Sequence, residues 1–84
     1  MAKRVAFTDQ AKADVRGISQ PIAIQVLRTL ARFLESDEGD VRKLHGIDPP
    51  VYRLRAQDHR VFFRVLSVDD VEVTRVLDRK DAYR

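Results

Sequence analysis

Cysteine is absent from this sequence of 84 residues. Disulfide scaffolds, cysteine nucleophiles and thiolate metal sites are therefore excluded together, and the composition is compatible with a reducing compartment. Long apolar runs are missing as well, because no segment approaches the roughly 18 apolar residues that a membrane span needs and none follows the basic pair Lys3-Arg4. We therefore expect no signal peptide, no membrane segment and a cytoplasmic location.

Glycine-rich phosphate loops and serine nucleophile elbows do not occur either. The two histidines, His45 and His59, have no spacing that recommends them as metal ligands. We therefore predict neither a metal nor another cofactor. His45 is expected in an exposed loop, whereas His59 lies beside Arg60 at the start of a predicted strand and is a candidate site residue.

The composition that remains is charged but typical of a folded domain. Hydrophobic residues make up 44% of the chain and charged residues 35%, which favours a globular chain over a disordered one. A length of 84 residues accommodates one hydrophobic core, so 1–84 is predicted to be a single domain. A domain this small has little stability to spare and commonly gains some from a partner.

The first half of the chain predicts a short strand and two helices. Residues 3–7 alternate like a strand, and Thr8 is placed to cap a helix that stops at Gly17. A second helix is predicted from Ser19-Gln20-Pro21, because proline is tolerated in a first turn. Its apolar positions follow helical spacing and are expected to cover a sheet. They are Ala23, Val26, Leu27, Leu30 and Leu34.

The second half predicts an antiparallel meander. Three apolar runs, 51–56, 59–66 and 71–77, are separated by connections short enough for hairpin turns. The segment 41–44 is too short to assign, and 78–84 is compatible with a helical turn. The predicted fold class is therefore α+β: an N-terminal strand, a two-helix hairpin and a three-stranded meander, with the helices packed on one sheet face.

The net charge of +3 is unevenly distributed along the chain. Residues 1–40 contain six basic and six acidic residues, whereas 41–65 contain six basic and only two acidic ones. Arginine outnumbers lysine twelve to four. A basic, arginine-rich segment suits a polyanion such as RNA, because guanidinium groups grip phosphate oxygens in a planar fork. Ordinary solubilisation of the surface explains the net charge about equally well.

Alternation along the first two meander strands places four arginines and one phenylalanine on the face opposite the apolar residues. They are Arg53, Arg55, Arg60, Phe62 and Arg64. On the second of these strands, Val61, Phe63 and Val65 are predicted to face the core. Like charges this close repel each other, which does not help stability but makes sense if a phosphate backbone neutralises them. An acidic protein partner would have the same effect. Of the two, we favour RNA binding on this exposed surface.

The third meander strand does not alternate cleanly. Val71, Val73 and Leu77 are predicted to face the core, yet the same parity places Arg75 with them. Either a β-bulge re-aims Arg75, or its stem reaches outwards at the edge of the sheet. The sequence leaves both alternatives open.

Three segments of the second half carry a family resemblance. They are Val-Arg-Lys-Leu-His-Gly at 41–46, Tyr-Arg-Leu-Arg-Ala-Gln-Asp-His-Arg-Val-Phe-Phe-Arg-Val at 52–65, and Arg-Val-Leu-Asp-Arg-Lys-Asp-Ala-Tyr-Arg at 75–84. Together they resemble the RelE branch of the RelE/ParE toxins of bacterial type II toxin–antitoxin systems. The resemblance covers essentially the whole chain, since the order of strand, helices and meander also matches that fold.

The resemblance implies an mRNA endonuclease that acts in the ribosomal decoding site by attack of the RNA 2′-hydroxyl. It also implies a cognate antitoxin that wraps the toxin and blocks the basic face. By motif position, the functional residues are Arg53, Arg55, Arg60, Arg79 and Tyr83. Three positions depart from the family pattern, because Gln57 replaces a glycine, His59 a tyrosine and Asp78 a histidine. These departures leave the general acid and base open.

Two residues are candidates for contributing beyond charge stabilisation. His59 is of the type that exchanges protons near neutral pH, whereas Tyr83 is favoured for stacking on a base or positioning the RNA. Asp58 or Asp81 is placed to orient His59, or to stabilise a turn, which is the commoner role. The arginines stabilise negative charge but transfer protons poorly because they stay protonated.

Two other classes of function stay open. A ParE-like toxin poisons DNA gyrase without being an enzyme, although the paired arginines and Tyr83 argue against it. A catalytically weak module that binds RNA or an antitoxin is favoured by the departures at Gln57, His59 and Asp78.

Overall fold

Eight secondary-structure elements follow one another in this computed structural model, which describes residues 3–82. In chain order they are β1 (Arg4–Phe7), α1 (Asp9–Arg16), α2 (Gln20–Ser36), β2 (Val41–Lys43), β3 (Tyr52–Ala56), β4 (His59–Ser67), β5 (Asp70–Asp78) and α3 (Arg79–Ala82). This order confirms the predicted α+β class and the helical turn at the end of the chain. It adds β2, which is too short for its alternation to be recognised in the sequence.

Local hydrogen bonds set the helix boundaries where the sequence predicted them. The Thr8 hydroxyl accepts a hydrogen bond from the Ala11 amide and so caps α1. The Gly17 amide closes the same helix by donating to carbonyls of its last turn. α2 ends at Asp37, whose left-handed backbone (φ 59°) lets its amide donate to the Phe33 carbonyl. No helix within residues 3–82 is long and apolar enough to cross a lipid bilayer.

The five strands form one mixed sheet in the order β1-β5-β4-β3-β2. β2 to β5 pair antiparallel with their neighbours in sequence, whereas β1 runs parallel to β5. The predicted three-stranded meander is therefore confirmed, and it forms the centre of a larger sheet. The position of β1 depends on pairing between distant residues such as Arg4 and Asp70, which local sequence patterns do not reveal.

Both long helices pack on the same face of the sheet, with α1 against β5 and α2 against β3. The larger side chains buried between these layers are Val26, Leu30, Leu34, Leu54, Val61, Phe63, Val71, Val73 and Val76. Phe63 lies near the middle of this core, because its ring centroid is 5.5 Å from that of Phe33 and 5.5 Å from that of Tyr52. The predicted helix-covered sheet is therefore confirmed.

Two residues predicted to face the core are exposed instead. Leu27 of α2 has 38% of its surface exposed and Val65 of β4 has 48%. The apolar stripe of α2 is wider than the strip of helix that meets the sheet. Val65 lies near the hairpin end of β4, where pairing with β5 is irregular. Apolar spacing alone overestimates the core at such margins.

A β-bulge resolves the irregular third meander strand. Pairing between β4 and β5 shifts between Phe62 and Phe63, so that Thr74 is the extra residue. Val76 therefore faces the core and is 3% exposed. Leu77, which was predicted to face the core, instead pairs with Arg60 and lies on the other face. The prediction for Leu77 was wrong because one inserted residue reverses the parity of every later position.

The same bulge directs Arg75 towards the edge of β5, where α1 supplies its partner. Asp14 Oδ2 accepts hydrogen bonds from Arg75 Nε and from the Val76 amide, each at 2.9 Å. β1 pairs with β5 only as far as Val73, so Asp14 satisfies an amide that has no strand beside it. Burial opposes the ionisation of Asp14, but the hydrogen bonds outweigh it and hold the pKa of this carboxyl below its ordinary value.

Candidate nucleic-acid interface

The sheet face turned away from the helices carries the predicted arginines. We call this surface the arginine face, and its residues are Arg42, Arg53, Arg55, Arg60, Phe62 and Arg64. The register pairs Arg53 with Phe62 and Arg55 with Arg60 across β3 and β4, and cross-strand partners lie on the same face. The prediction that these five residues of β3 and β4 share one face is confirmed, and β2 adds Arg42 to them.

Arg60 lies on this face but is not exposed, contrary to the prediction. Only 6% of its surface is accessible, and its Nη1 donates to the carbonyls of Gln57 at 3.0 Å and His59 at 3.1 Å. Gln57 has a left-handed backbone (φ 57°) in the β3–β4 turn, where its carbonyl is turned towards the guanidinium. Arg60 therefore holds the turn together, and contact with a phosphate would compete with these bonds.

Arg64 is exposed only in part and is already neutralised. Its Nη2 forms an ion pair with the Glu72 carboxylate, the residue opposite it in the register of β4 and β5. Glu72 was missed as a site neighbour, although its position two residues into β5 places it opposite Arg64 in a tight hairpin. The positive charge of the arginine face is therefore weaker at the β4–β5 side than the sequence predicted.

The accessible positive charge lies at the β2–β3 side of the sheet. Arg55 is exposed, Arg53 is half-buried, and the Arg42 side chain is 71% exposed with its Nε 3.8 Å from Asp40 Oδ1. Arg42 pairs with Arg53 in the register of β2 and β3. Sequence reasoning missed Arg42 as a site residue because β2 could not be assigned, and without a strand no face could be given to it.

His59 lies on the opposite side of the sheet from the arginines. It pairs with Ala56, which is 1% exposed in the core, and with Asp78. The imidazole is half-buried, and its Nδ1 has no hydrogen-bond partner among the described residues. It lines a cavity of about 450 Å³ beneath α1 and the start of α2. The sheet therefore separates His59 from Arg53 and Arg55.

The remaining predicted site residues belong to the C-terminal segment. Arg79 begins α3 with an exposed side chain, and its amide donates to the Asp58 carbonyl at 2.6 Å. This bond attaches α3 to the β3–β4 turn, and hence to the end of the sheet where Arg55 and Arg60 lie. Tyr83 lies outside the described residues. Asp81 is exposed on α3 and lines the same cavity as His59.

The arginine face, as residues 3–82 present it, combines guanidinium groups with an aromatic ring. Guanidinium groups bind and orient phosphate oxygens but do not transfer protons, because they remain charged at all physiological pH values. An aromatic ring on such a surface offers a flat apolar contact to a base. The arrangement is therefore suited to holding a nucleic acid strand and stabilising negative charge on it.

Solved structures share this fold over nearly the whole chain. A mutant of Escherichia coli RelE in the free state has a TM-score of 0.74 at 27% identity, covering 99% of this chain and 88% of that one. The RelE–RelB complex of Pyrococcus horikoshii gives 0.74 at 21% identity, with 94% and 97% covered. The E. coli DinJ–YafQ toxin–antitoxin complex gives 0.76 at 8% identity, with 100% of both chains covered. The fold is therefore that of RelE-type toxins.

The family follows from the sequence itself. Residues 5–83 match the model of the ParE toxin of type II toxin–antitoxin systems. The chain therefore belongs to this toxin family, within the RelE/ParE superfamily, and the resemblance found in its motifs is confirmed. A search of curated proteins finds no significant match to the chain.

Proposed function

We propose that this toxin is a ribosome-dependent endoribonuclease that cleaves mRNA in the decoding site, and that it works in the cytoplasm. The observation that supports this most is the pair Arg53 and Arg55, which alternation along β3 places on the open face of the sheet beside Phe62. Arg55 is exposed and adds nothing to the core, and a second cation two residues away on the same face lowers stability rather than raises it. A phosphate backbone offsets that repulsion.

The proposed reaction uses the RNA's own nucleophile. The 2′-oxygen forms a bond to the adjacent phosphorus, the bond from phosphorus to the 5′-oxygen breaks, and the 2′-hydroxyl proton is lost as the 5′-oxygen gains one. Arg53 and Arg55 would hold the phosphate and stabilise the extra negative charge of the transition state. Arg60 would act mainly by fixing the turn that positions Arg55.

The C-terminal segment would complete the site. His59 was the favoured proton carrier from sequence, but its place on the helix side of the sheet supports moving that role elsewhere. Tyr83 follows α3, which the Arg79–Asp58 bond attaches to the β3–β4 turn at one end of the sheet. We assign to Tyr83 the contact with RNA, and to Arg79 a supporting positive charge. The ribosome would position the mRNA against these residues, because it holds the strand extended in the decoding site.

An antitoxin is the proposed protein partner. Solved relatives include complexes named RelE–RelB and DinJ–YafQ. For this chain, we propose a cognate antitoxin of the RelB type with an acidic or amphipathic segment that covers part of the arginine face. Such a segment would contact Arg42, Arg53 and Arg55 and exclude RNA at the same time.

Primer extension on mRNA in a cell-free translation reaction, with and without ribosomes, tests the activity. We expect cuts only when ribosomes are present, and we expect them to disappear in Arg53→Gln and Arg55→Gln. Arg28→Gln is the matched control, because Arg28 is an exposed arginine of α2 on the other side of the molecule. Intact mRNA with the wild-type toxin, or equal cleavage by the Arg53 and Arg55 variants, would contradict the proposal.

A second function is favoured by the family model, which is that of the ParE toxin. A ParE-like chain would poison DNA gyrase and would not be an enzyme. The engagement of Arg60 with the turn and the position of His59 also fit a chain without catalysis. A supercoiling assay with purified gyrase separates the two, because blocked supercoiling beside intact mRNA would support this alternative.

A further inference from the structure

One register row crosses three adjacent strands of the arginine face. Arg42 of β2 pairs with Arg53 of β3, which in turn pairs with Phe62 of β4. Neighbouring strands lie roughly 4.8 Å apart, so the three side chains form a short line from the edge of the sheet to its middle. Arg64 is paired with Glu72, and Arg75 with Asp14. Arg42 is the outermost guanidinium of this line, and its side chain is 71% exposed, with Nε 3.8 Å from Asp40 Oδ1.

Phe62 and its neighbour Phe63 lie on opposite faces of β4. The next residue, Phe63, is 2% exposed in the core and stacks on Tyr52. Phe62 points the other way, is half-buried, and forms no ring contact with the other aromatic residues of 3–82. The part of the ring that is still in contact with water would gain free energy if it were covered. A base stacked on the ring would bury it.

We propose that Phe62 and Arg42 form a nucleotide subsite for single-stranded RNA. One base stacks on the Phe62 ring, and Arg42 contacts a phosphate further along the same strand, at the edge of the sheet. Bases inside a duplex are stacked on each other, so only an unpaired strand can use the ring. This inference rests on the proposed function, because it specifies how the RNA crosses the arginine face.

Binding of a short single-stranded RNA that carries one 2-aminopurine tests the stacking contact, since its fluorescence falls when the base stacks. Phe62→Leu is expected to weaken binding roughly 5- to 150-fold and to abolish the fluorescence change. Phe62→Tyr keeps the ring and should behave like the wild type. Melting temperatures of both variants establish that the fold is intact. Unchanged affinity and fluorescence in Phe62→Leu would overturn the subsite.

The dependence of affinity on salt tests the phosphate contact. Removing one ion pair between the protein and a phosphate of a single strand lowers the slope of log affinity against log salt by about 0.7. We expect that decrease for Arg42→Gln and no decrease for the control Arg28→Gln, which removes the same charge from α2. Equal slopes in the two variants would show that only net charge matters and would remove Arg42 from the subsite.

Three further outcomes separate this inference from the proposed function and from a protein ligand. Stacking without any ribosome-dependent cleavage would leave the subsite in place and reject the nuclease. Cleavage with wild-type rate in Phe62→Leu and Arg42→Gln would reject the subsite and leave the nuclease in place. If the two variants bind RNA normally but lose affinity for an acidic peptide, Phe62 and Arg42 contact a protein and the RNA subsite is rejected.

Discussion

At the scale of single residues, Asp14 shows how one carboxylate completes a sheet that its strands leave incomplete. The carboxylate accepts from Arg75, from the Val76 amide and from Gln10. Replacing Asp14 with alanine leaves a buried amide without an acceptor. We expect Asp14→Ala to lower the free energy of unfolding at neutral pH by about 1–3 kcal/mol, measured by urea denaturation. Glu38→Ala, at an exposed carboxylate after α2, should change it little.

The contribution of Asp14 should depend on pH in a defined direction. Its pKa is lowered in the folded state, so the stabilisation is complete above the ordinary aspartate pKa of about 3.9. It is lost as the pH falls through the lower, folded-state value. The difference in unfolding free energy between wild type and Asp14→Ala should therefore shrink below about pH 4. A difference that stays constant from pH 7 to pH 3 would show that the hydrogen bonds of Asp14 stabilise the fold independently of its charge.

Arg60 and Arg55 face each other across β3 and β4 but are expected to respond differently to substitution. Arg60→Ala removes the donor to two turn carbonyls and should destabilise the fold by about 1–3 kcal/mol. Arg55 is exposed, so Arg55→Ala should stay within about 0.5 kcal/mol of wild type while losing toxicity. Thermal unfolding and a growth assay measure the two effects. Full toxicity in Arg55→Ala would remove it from the proposed site.

At the scale of elements, the two edges of the sheet are built to avoid pairing with other chains. β1 has four residues and β2 has three, and each presents basic side chains, Arg4 on one and Arg42 and Lys43 on the other. Short, charged edge strands discourage the addition of a further strand. The exposed backbone of β5 beyond β1 is covered by α1 through Asp14. The arginine face is therefore the surface that the sheet leaves open.

Helix α2 offers a matched pair for testing which of its faces carries the packing. Leu30 is 3% exposed and Leu27 is 38% exposed, although both lie on the predicted apolar stripe. Leu30→Ala should destabilise by about 2–5 kcal/mol because it leaves a cavity against the sheet. Leu27→Ala should cost less than half as much. Calorimetric melting measures the loss of stability in each variant. Equal losses would mean that α2 is rotated from its assigned position.

At the scale of the whole molecule, the two faces of the sheet differ in what covers them. One face carries accessible arginines, whereas the helices cover the other and close the core. A cognate antitoxin that blocks the arginine face should bind less tightly as salt rises, because ion pairs at the rim of an interface are screened. We expect the exposed Arg55 guanidinium to be protected in the complex from phenylglyoxal, a reagent that modifies accessible arginines. A tight complex that leaves Arg55 fully reactive would show that inhibition does not use this face.

The order of elements could be predicted from the sequence because it depends on local chemistry. The Thr8 cap, the Gly17 stop and the short hairpin connections each act within a few residues, so their signals are local. The shared face of Arg53, Arg55 and Phe62 was predictable for the same reason, since alternation is a property of the strand itself. The motifs then indicated the toxin family, which the match over residues 5–83 confirmed.

Only the tertiary structure decided which of these residues are accessible and which share a site. Arg60 is buried because the turn carbonyls attract it, and Arg64 is neutralised because the register brings Glu72 opposite. The bulge at Thr74 reverses the parity of Leu77 and sends Arg75 to Asp14, 61 residues away along the chain. His59 follows Arg55 by only four positions, yet the sheet lies between them. Such relations depend on register and on contacts between distant segments, and side-chain type and spacing do not specify them.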